Sequence, residues 1–395
     1  MQENNDCENL EQRKVTKVGK ITTFLCCLYI FLSFYENYVN QFFGFSTRYL
    51  ILIMIIMLLS NNRKIILKWY HFVLLSWLLL LMLSSFWSRD NTIMNQHFIS
   101  ILGMFGLFVA MTSANFDYKF VNYLIKTMLY TSATMGFLAL FQSSSYHNIV
   151  ETRQVLVLYG IDIDPNNLAA LYMIGISIGL YYIISEKKRY IRYFVIVAIN
   201  TYGVALTGSR GGLVTFIGIV FLFIILASNS ISSTRSFIYK TSLLLSVLLS
   251  IYFILRILLP LPIYDRLFDF GNYSGGSGRD LLWKNAWNLF KESPVVGAGW
   301  GSYYGYNGFY AAVHQTFLSM LCDVGIIGVL LFFIPIFRNI TESLRRKNFF
   351  PIIILATGLF PALFLDAINK RFFWNAIIIS YLILNSNFYD RKESN

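Results

Sequence analysis

Charge is scarce in this sequence. Asp, Glu, Lys and Arg make up 13% of its 395 residues, where a soluble globular domain carries about a quarter. With 56% of the residues hydrophobic and 17% aromatic, an ordinary water-soluble fold is excluded. Polar–apolar alternation is missing as well, and with it the pattern of a transmembrane barrel, so strands are not expected. Cysteine is confined to Cys7, Cys26, Cys27 and Cys322, whose spacing suits neither a metal site nor a disulfide framework. Cys26 and Cys27 lie inside an apolar run and read as small hydrophobic residues. There is no internal repeat, no low-complexity tract and no soluble domain.

What is present is a series of apolar runs, each near the roughly 20 residues that cross a bilayer as a helix. They predict an all-α, polytopic transmembrane helical bundle with about twelve spans, all 395 residues forming a single membrane domain. The spans fall near 21–35, 42–60, 69–87, 97–113, 119–141, 166–184, 190–207, 211–228, 237–260, 315–337, 350–366 and 371–387. The polar start MQENNDCENLEQRKVTKVGK is longer and more acidic than the head of a signal peptide, so the first span is expected to be retained.

A net charge of +12 could suggest nucleic acid, but the basic residues sit in short loops between apolar runs, which is the pattern of membrane topology. Of 32 Lys and Arg, 20 fall at the termini and in the loops of one side and 10 on the other, with Lys126 and Arg256 inside spans. That asymmetry places both termini in the cytoplasm. Two outer loops exceed simple connectors: 142–165, and 261–313 between the ninth and tenth spans.

The second loop contains SGRDLLWKNAWNLFKESP, which reads as a short amphipathic helix with Ser277 as N-cap and Pro294 as stop. Leu282, Trp283, Ala286, Trp287 and Phe290 share one face; Lys284, Asn285, Asn288 and Lys291 share the other. It could lie on the bilayer surface or on the tops of the spans. Next comes VVGAGWGSYYGYNGFY, expected to be a loop exposing aromatic faces, Trp300 and Tyr303 among them. Such faces suit the apolar sides of sugar rings, although an interfacial aromatic belt has the same composition.

The tightest connection is ALTGSRGGL at 205–213. Its glycines explain a reversal of the chain but not Arg210. An arginine buried at mid-membrane costs about 2.5–3.5 kcal/mol on insertion scales, and at the outer mouth snorkelling lowers that cost. A guanidinium among backbone N–H groups at a helix start suits a phosphate. Arg279, opening the amphipathic helix, could supply a second guanidinium, and His314 opens the tenth span. Two arginines and a histidine without a carboxylate cluster suit a diphosphate better than a metal. Asp162 and Asp164 form an Asp-x-Asp pair on the outer side that turn chemistry explains, so no metal or other cofactor is assigned.

With these residues assembled, the chain resembles the O-antigen ligase and polymerase superfamily of bacterial membrane glycosyltransferases. That family's histidine motif is matched by His314, Gln315, nine residues and Gly325-Ile326-Ile327-Gly328. Its Ser-Arg-Gly turn is matched by Ser209-Arg210-Gly211, and its Arg-x-x-x-Trp helix with Pro-x-x-Gly-x-Gly by Arg279, Trp283, Pro294, Gly297 and Gly299. Its Pro-Asn-x-Leu-Ala element is matched by Pro165 to Ala169, and the motifs together cover roughly 150–340.

The resemblance implies a plasma (inner) membrane enzyme that transfers a glycan from a polyprenyl diphosphate to an acceptor hydroxyl, a glycan or lipid-linked acceptor, on the extracytoplasmic face. Arg210 and Arg279 would stabilise the departing diphosphate and His314 would take the acceptor's proton. Asn166, Trp283, Trp300 and Tyr303 are the candidates for holding substrate. Gly325 and Gly328 are too far along the helix to reach the chemistry and are expected to allow close helix packing. A repeat-unit polymerase is favoured over a ligase acting on lipid A–core. A flippase would spread polar residues along a central path, whereas these gather at one face.

Overall fold

The computed structural model describes residues 16–44, 47–61, 65–148, 151–185, 190–227, 256–268, 279–306 and 311–386. Apolar runs become helices because a backbone in hydrocarbon has no water with which to satisfy its N–H and C=O groups. The first helices are α1 (Lys20–Phe34), α2 (Glu36–Phe43), α3 (Thr47–Asn61), α4 (Trp69–Ser84), α5 (Thr92–Thr112) and α6 (Tyr118–Gln142). After a small sheet come α7 (Pro165–Ser185), α8 (Tyr190–Leu206), α9 (Arg210–Ala227), α10 (Leu261–Phe268) and α11 (Arg279–Glu292). The last are α12 (Thr316–Arg345), α13 (Phe350–Leu359) with a 3₁₀ turn at Pro361–Leu363, and α14 (Arg371–Asn385).

This is a polytopic helical membrane protein. Among the described residues α5, α6, α7 and α12 are each long and apolar enough to cross a bilayer, and α2 with α3 makes a fifth candidate. Six further apolar helices are shorter, at 10–17 residues, including α1, α4, α8, α14 and the Arg210–Leu226 part of α9. The predicted span at 237–260 lies almost wholly outside the described residues, and so does Ser277, the expected N-cap.

The expectation of no strands is corrected in the 142–165 loop. There β1 (Ser143–Asn148), β2 (Glu151–Leu158) and β3 (Ile161–Asp162) form an antiparallel sheet in the order β1-β2-β3. Tyr159 and Gly160, at φ 53° and 77°, join β2 to β3 in the two-residue turn whose twist suits a hairpin. Composition argued against strands inside the spans, and this segment lies outside them. Val155 and Leu156 are buried, and the Leu156 carbonyl accepts the Tyr38 hydroxyl of α2 at 2.7 Å, so the sheet caps one end of the bundle.

The core runs through the whole bundle. The most enclosed candidate span is α7, packed among α6, α8 and α13, while α12 packs on α4 and α11. An ion pair between a buried arginine and a partly buried glutamate ties the starts of three helices at the same end: Arg371 of α14 donates to Glu36 of α2 at 2.8 Å and to Thr47 of α3 at 3.1 Å.

Candidate functional site

The turn between α8 and α9 is made by Gly208 (φ 58°), after which Ser209 caps α9 by accepting the Gly212 N–H at 3.0 Å. The Ser209 hydroxyl also donates to Asn166 Oδ1 at 2.8 Å. Asn166 stands in the first turn of α7, where Asp164 Oδ1 accepts the N–H groups of Asn166 and Asn167 at 3.0 and 3.1 Å. Asp164 is thus a helix cap, and two motifs 43 residues apart are one hydrogen-bonded unit. It sets the positive ends of α7 and α9 side by side, with Arg210 at the first position of α9. Gly211 and Gly212 are helical and serve close approach, not reversal. An added Cβ would meet Phe364 and Ala169 respectively, each at 2.8 Å. Beneath the turn, the buried Arg266 of α10 donates from Nε to the Gly208 carbonyl at 2.9 Å.

Arg279 opens α11, with Asp280 in the first turn and Lys291 in the last, both favourable to the helix dipole. The helix rests on α12, where the Cys322 thiol donates to the Ala286 carbonyl at 3.2 Å. Its buried face is rotated from the predicted one: Asn285, Ala286, Leu289 and Phe290 are buried, and Trp287 is exposed. Trp283 donates its indole N–H to the Val313 carbonyl at 3.1 Å, and Tyr303 donates its hydroxyl to the Leu282 carbonyl at 2.7 Å. These bonds carry α11 against the strand of chain that leads into His314.

The segment after α11 threads a break in α12. At Gly325 (φ 62°, ψ −166°) the helix is interrupted, and Pro294–Gly299 supplies the missing backbone partners. Ile326 and Ile327 donate to the carbonyls of Pro294 (2.9 Å) and Val295 (3.1 Å). Ala298 and Gly299 donate to those of Cys322 (2.7 Å) and Asp323 (3.2 Å). A Cβ on Gly325 would lie 2.4 Å from the Val295 oxygen, and one on Gly297 2.5 Å from the Asp323 backbone. Gly325 therefore accommodates a loop in a broken helix and not merely a neighbouring helix, as the sequence suggested. Both parts of the histidine motif acquire a reason, since Gln315 is the N-cap of α12 and accepts the Leu318 N–H.

Trp300 and Tyr303 are buried at 1% and 4% exposure, which corrects the expectation of exposed aromatic faces. Hydrogen bonds from the Trp300 N–H to Ser84 Oγ (3.0 Å) and from Gly301 N–H to Asp323 Oδ1 (2.9 Å) fold this loop inward.

His314 has a left-handed backbone (φ 55°), uncommon outside glycine though commoner in histidine than in most residues. Its N–H donates to Asp366 Oδ2 at 2.7 Å, and its Nδ1 lies 3.9 Å from the same oxygen. Thr316 holds this pairing: its hydroxyl donates to the Leu365 carbonyl at 2.6 Å and accepts the Ala367 N–H at 2.8 Å, clasping both sides of Asp366. Half the His314 side chain is exposed. Asp366 lies past the end of the α13 segment, and its buried Oδ1 has no hydrogen-bond partner among the described residues. Burial pushes its carboxyl above the usual carboxylate range, against the opposing influence of His314, Lys370 and Arg279.

Arg279 joins the two halves of the site. Burial lowers its pKa; the charges of Asp164 and Asp366 oppose that, and those of Arg210 and Arg266 reinforce it. Three guanidiniums and two carboxylates therefore share one field beside His314. The sequence reading had the two arginines without carboxylates; Asp366 and Arg266 were missed. Asp366 is 52 residues from His314, and its one signal was a lone acid at the end of an apolar run. Arg266 was one of four basic residues in a long loop, with nothing to mark it.

Residues 193–333 match a family model described as O-antigen ligase. The matched stretch includes Arg210, Arg279 and His314; Asn166 and Asp366 lie outside it. No curated protein matches the chain.

Proposed function

We propose that the protein is a membrane glycosyltransferase that moves a glycan from a polyprenyl diphosphate to an acceptor hydroxyl, acting as a repeat-unit polymerase of surface polysaccharide. The observation that carries this reading is the common field of Arg210, Arg266 and Arg279 beside the His314–Asp366 pair. In the reaction the acceptor oxygen attacks the anomeric carbon. The bond from that carbon to the diphosphate oxygen breaks, and its electron pair leaves with the diphosphate. Arginine forks are suited to that developing charge, and they deliver it without the reorganisation that water would need. The acceptor's proton passes to the His314 imidazole, whose Nδ1 faces the Asp366 carboxylate, a group placed to stabilise the imidazolium.

A ligase acting on a lipid-linked acceptor would use the same arrangement, and the family match accommodates both. In this reading about twelve spans cross the plasma membrane, both termini are cytoplasmic and the site is extracytoplasmic, an orientation that the Lys and Arg asymmetry supports.

The test is a pair of variants in reconstituted protein, with insertion checked by blot. Arg210→Lys keeps the charge but loses the fork, so donor binding should weaken severely. His314→Ala should abolish transfer while sparing donor binding, because general-base contributions are typically about 10²–10⁴-fold. Near-normal product from stably inserted His314→Ala protein would return that histidine to an interfacial role.

A further inference from the structure

The exposed face of α12 is a single stripe. Ile326, Ile327, Leu330, Ile334 and Phe337 are 42–60% exposed and fall within about 100° around the axis at 3.6 residues per turn. Arg338 ends the stripe on one side. On the other it stops at Ile326, because none of Thr316 to Gly325 is exposed. From Phe337 to Ile326 it rises about 16 Å, about half of a hydrocarbon core of roughly 30 Å. The rest of the lipid boundary comes from what covers the first turns of α12, and α11 with the segment after it does so.

The break at Gly325 continues the stripe onto that segment. In an unbroken helix Ile326 and Ile327 would donate to the carbonyls of Cys322 and Asp323. Those carbonyls accept Ala298 and Gly299 instead, and Ile326 and Ile327 donate to Pro294 and Val295. Pro294 to Val296 thus stands where the preceding turn would be, and its two valines are 56% and 40% exposed. Irregular backbone is tolerated at membrane depth because this exchange pairs its N–H and C=O groups. Earlier on α11, Trp287 is 49% exposed, and exposed Lys284 and Lys291 flank it at i−3 and i+4. A tryptophan between two lysines suits the edge of the acyl chains, with the ammonium groups reaching out to lipid phosphates.

We propose that this edge is a docking surface for the bilayer itself. Val295 and Val296 sit among the acyl chains of the leaflet at the His314 end of α12, and Trp287, Lys284 and Lys291 sit at its headgroup boundary. Helix α11 thus rests on a span by one face and on the membrane by another. The assignment is independent of the transferase reading.

The experiment places nitroxide labels in full-length protein in lipid nanodiscs. It measures their collision with oxygen, which concentrates among acyl chains, and with a water-soluble nickel chelate. In a cysteine-free background, labels on Val295→Cys and Val296→Cys should match one on Leu330→Cys, with an oxygen-to-nickel ratio several-fold above that of Lys291→Cys. Nickel contact at both valine positions equal to that at Lys291 would put the segment in water and overturn the assignment. Labels shielded from both colliders would put a second copy or another protein there and overturn it equally. The parent protein, with Cys322 in place, supplies an independent reading. The emission that the parent has and Trp287→Phe lacks should be quenched more by lipids brominated near the headgroup than by lipids brominated at the chain end. Absence of quenching, or stronger quenching from the chain end, would overturn the place of Trp287 at the boundary.

Discussion

Gly325→Ala tests the interlock that holds the site together. The added Cβ would sit 2.4 Å from the Val295 oxygen, 2.5 Å from its carbonyl carbon and 2.6 Å from the Gly297 nitrogen. All three are backbone atoms, so no side chain can rotate aside. The φ and ψ of 62° and −166° lie in a region essentially restricted to glycine, which adds about 1–3 kcal/mol of strain. Relief requires the Pro294–Gly299 segment to withdraw, and four backbone hydrogen bonds cross that contact. Losing two of them adds about 2–6 kcal/mol, at roughly 1–3 kcal/mol for each group left unsatisfied. The total, about 3–9 kcal/mol, is comparable to the whole stability of a typical domain, about 5–15 kcal/mol. Full-length protein in detergent should therefore show either loss of the monodisperse peak or a greatly lowered midpoint in tryptophan-detected thermal unfolding. Gly103→Ala is the control: its Cβ meets only Ile51 at an ordinary 3.7 Å, and a helical Gly→Ala gains roughly 0.5–1 kcal/mol. A Gly325→Ala protein that unfolds at the parent temperature would refute the interlock.

Three other outcomes are expected. In a cysteine-free background, a cysteine at exposed Lys291 should react with an impermeant thiol reagent on intact cells or spheroplasts, and one at exposed Thr341 should not; reversed labelling would put the site on the cytoplasmic face. Arg371→Met leaves the partly buried Glu36 carboxylate with the Thr47 hydroxyl as its remaining partner and should destabilise by about 1–3 kcal/mol, read as a lowered unfolding midpoint, while Arg371→Met with Glu36→Gln should recover much of the loss. Transfer by reconstituted protein should survive EDTA, since guanidiniums supply the charge at the diphosphate; activity lost to EDTA and restored by Mg²⁺ or Mn²⁺ would direct attention to Asp162 and Asp164.

Some of this protein is legible along the chain because the bilayer makes local composition decisive. A run of apolar residues must become a helix wherever hydrocarbon surrounds it, and so the bounds of α5, α6, α7 and α14 fall within a few residues of the predicted spans except at the start of α5. Arg210, Arg279 and His314 could also be found, because the two arginines open helices, His314 lies just before the N-cap of one, and all three stand out against an apolar background. Outside hydrocarbon that rule lapses, and tertiary contacts decide. The sheet at 143–162 forms where a loop folds over the end of the bundle, and Trp300 turns inward because Ser84, 216 residues away, receives its N–H. Gly325 looked like a packing residue because its break in α12 is visible only with Pro294–Gly299 in place. Asp366 reaches His314 through the clasp of Thr316, a contact between side chain and backbone that leaves no periodic trace in the sequence. Hydrophobic burial in a membrane is written residue by residue, whereas a polar site is assembled from hydrogen bonds between distant segments, and only the folded chain brings those segments together.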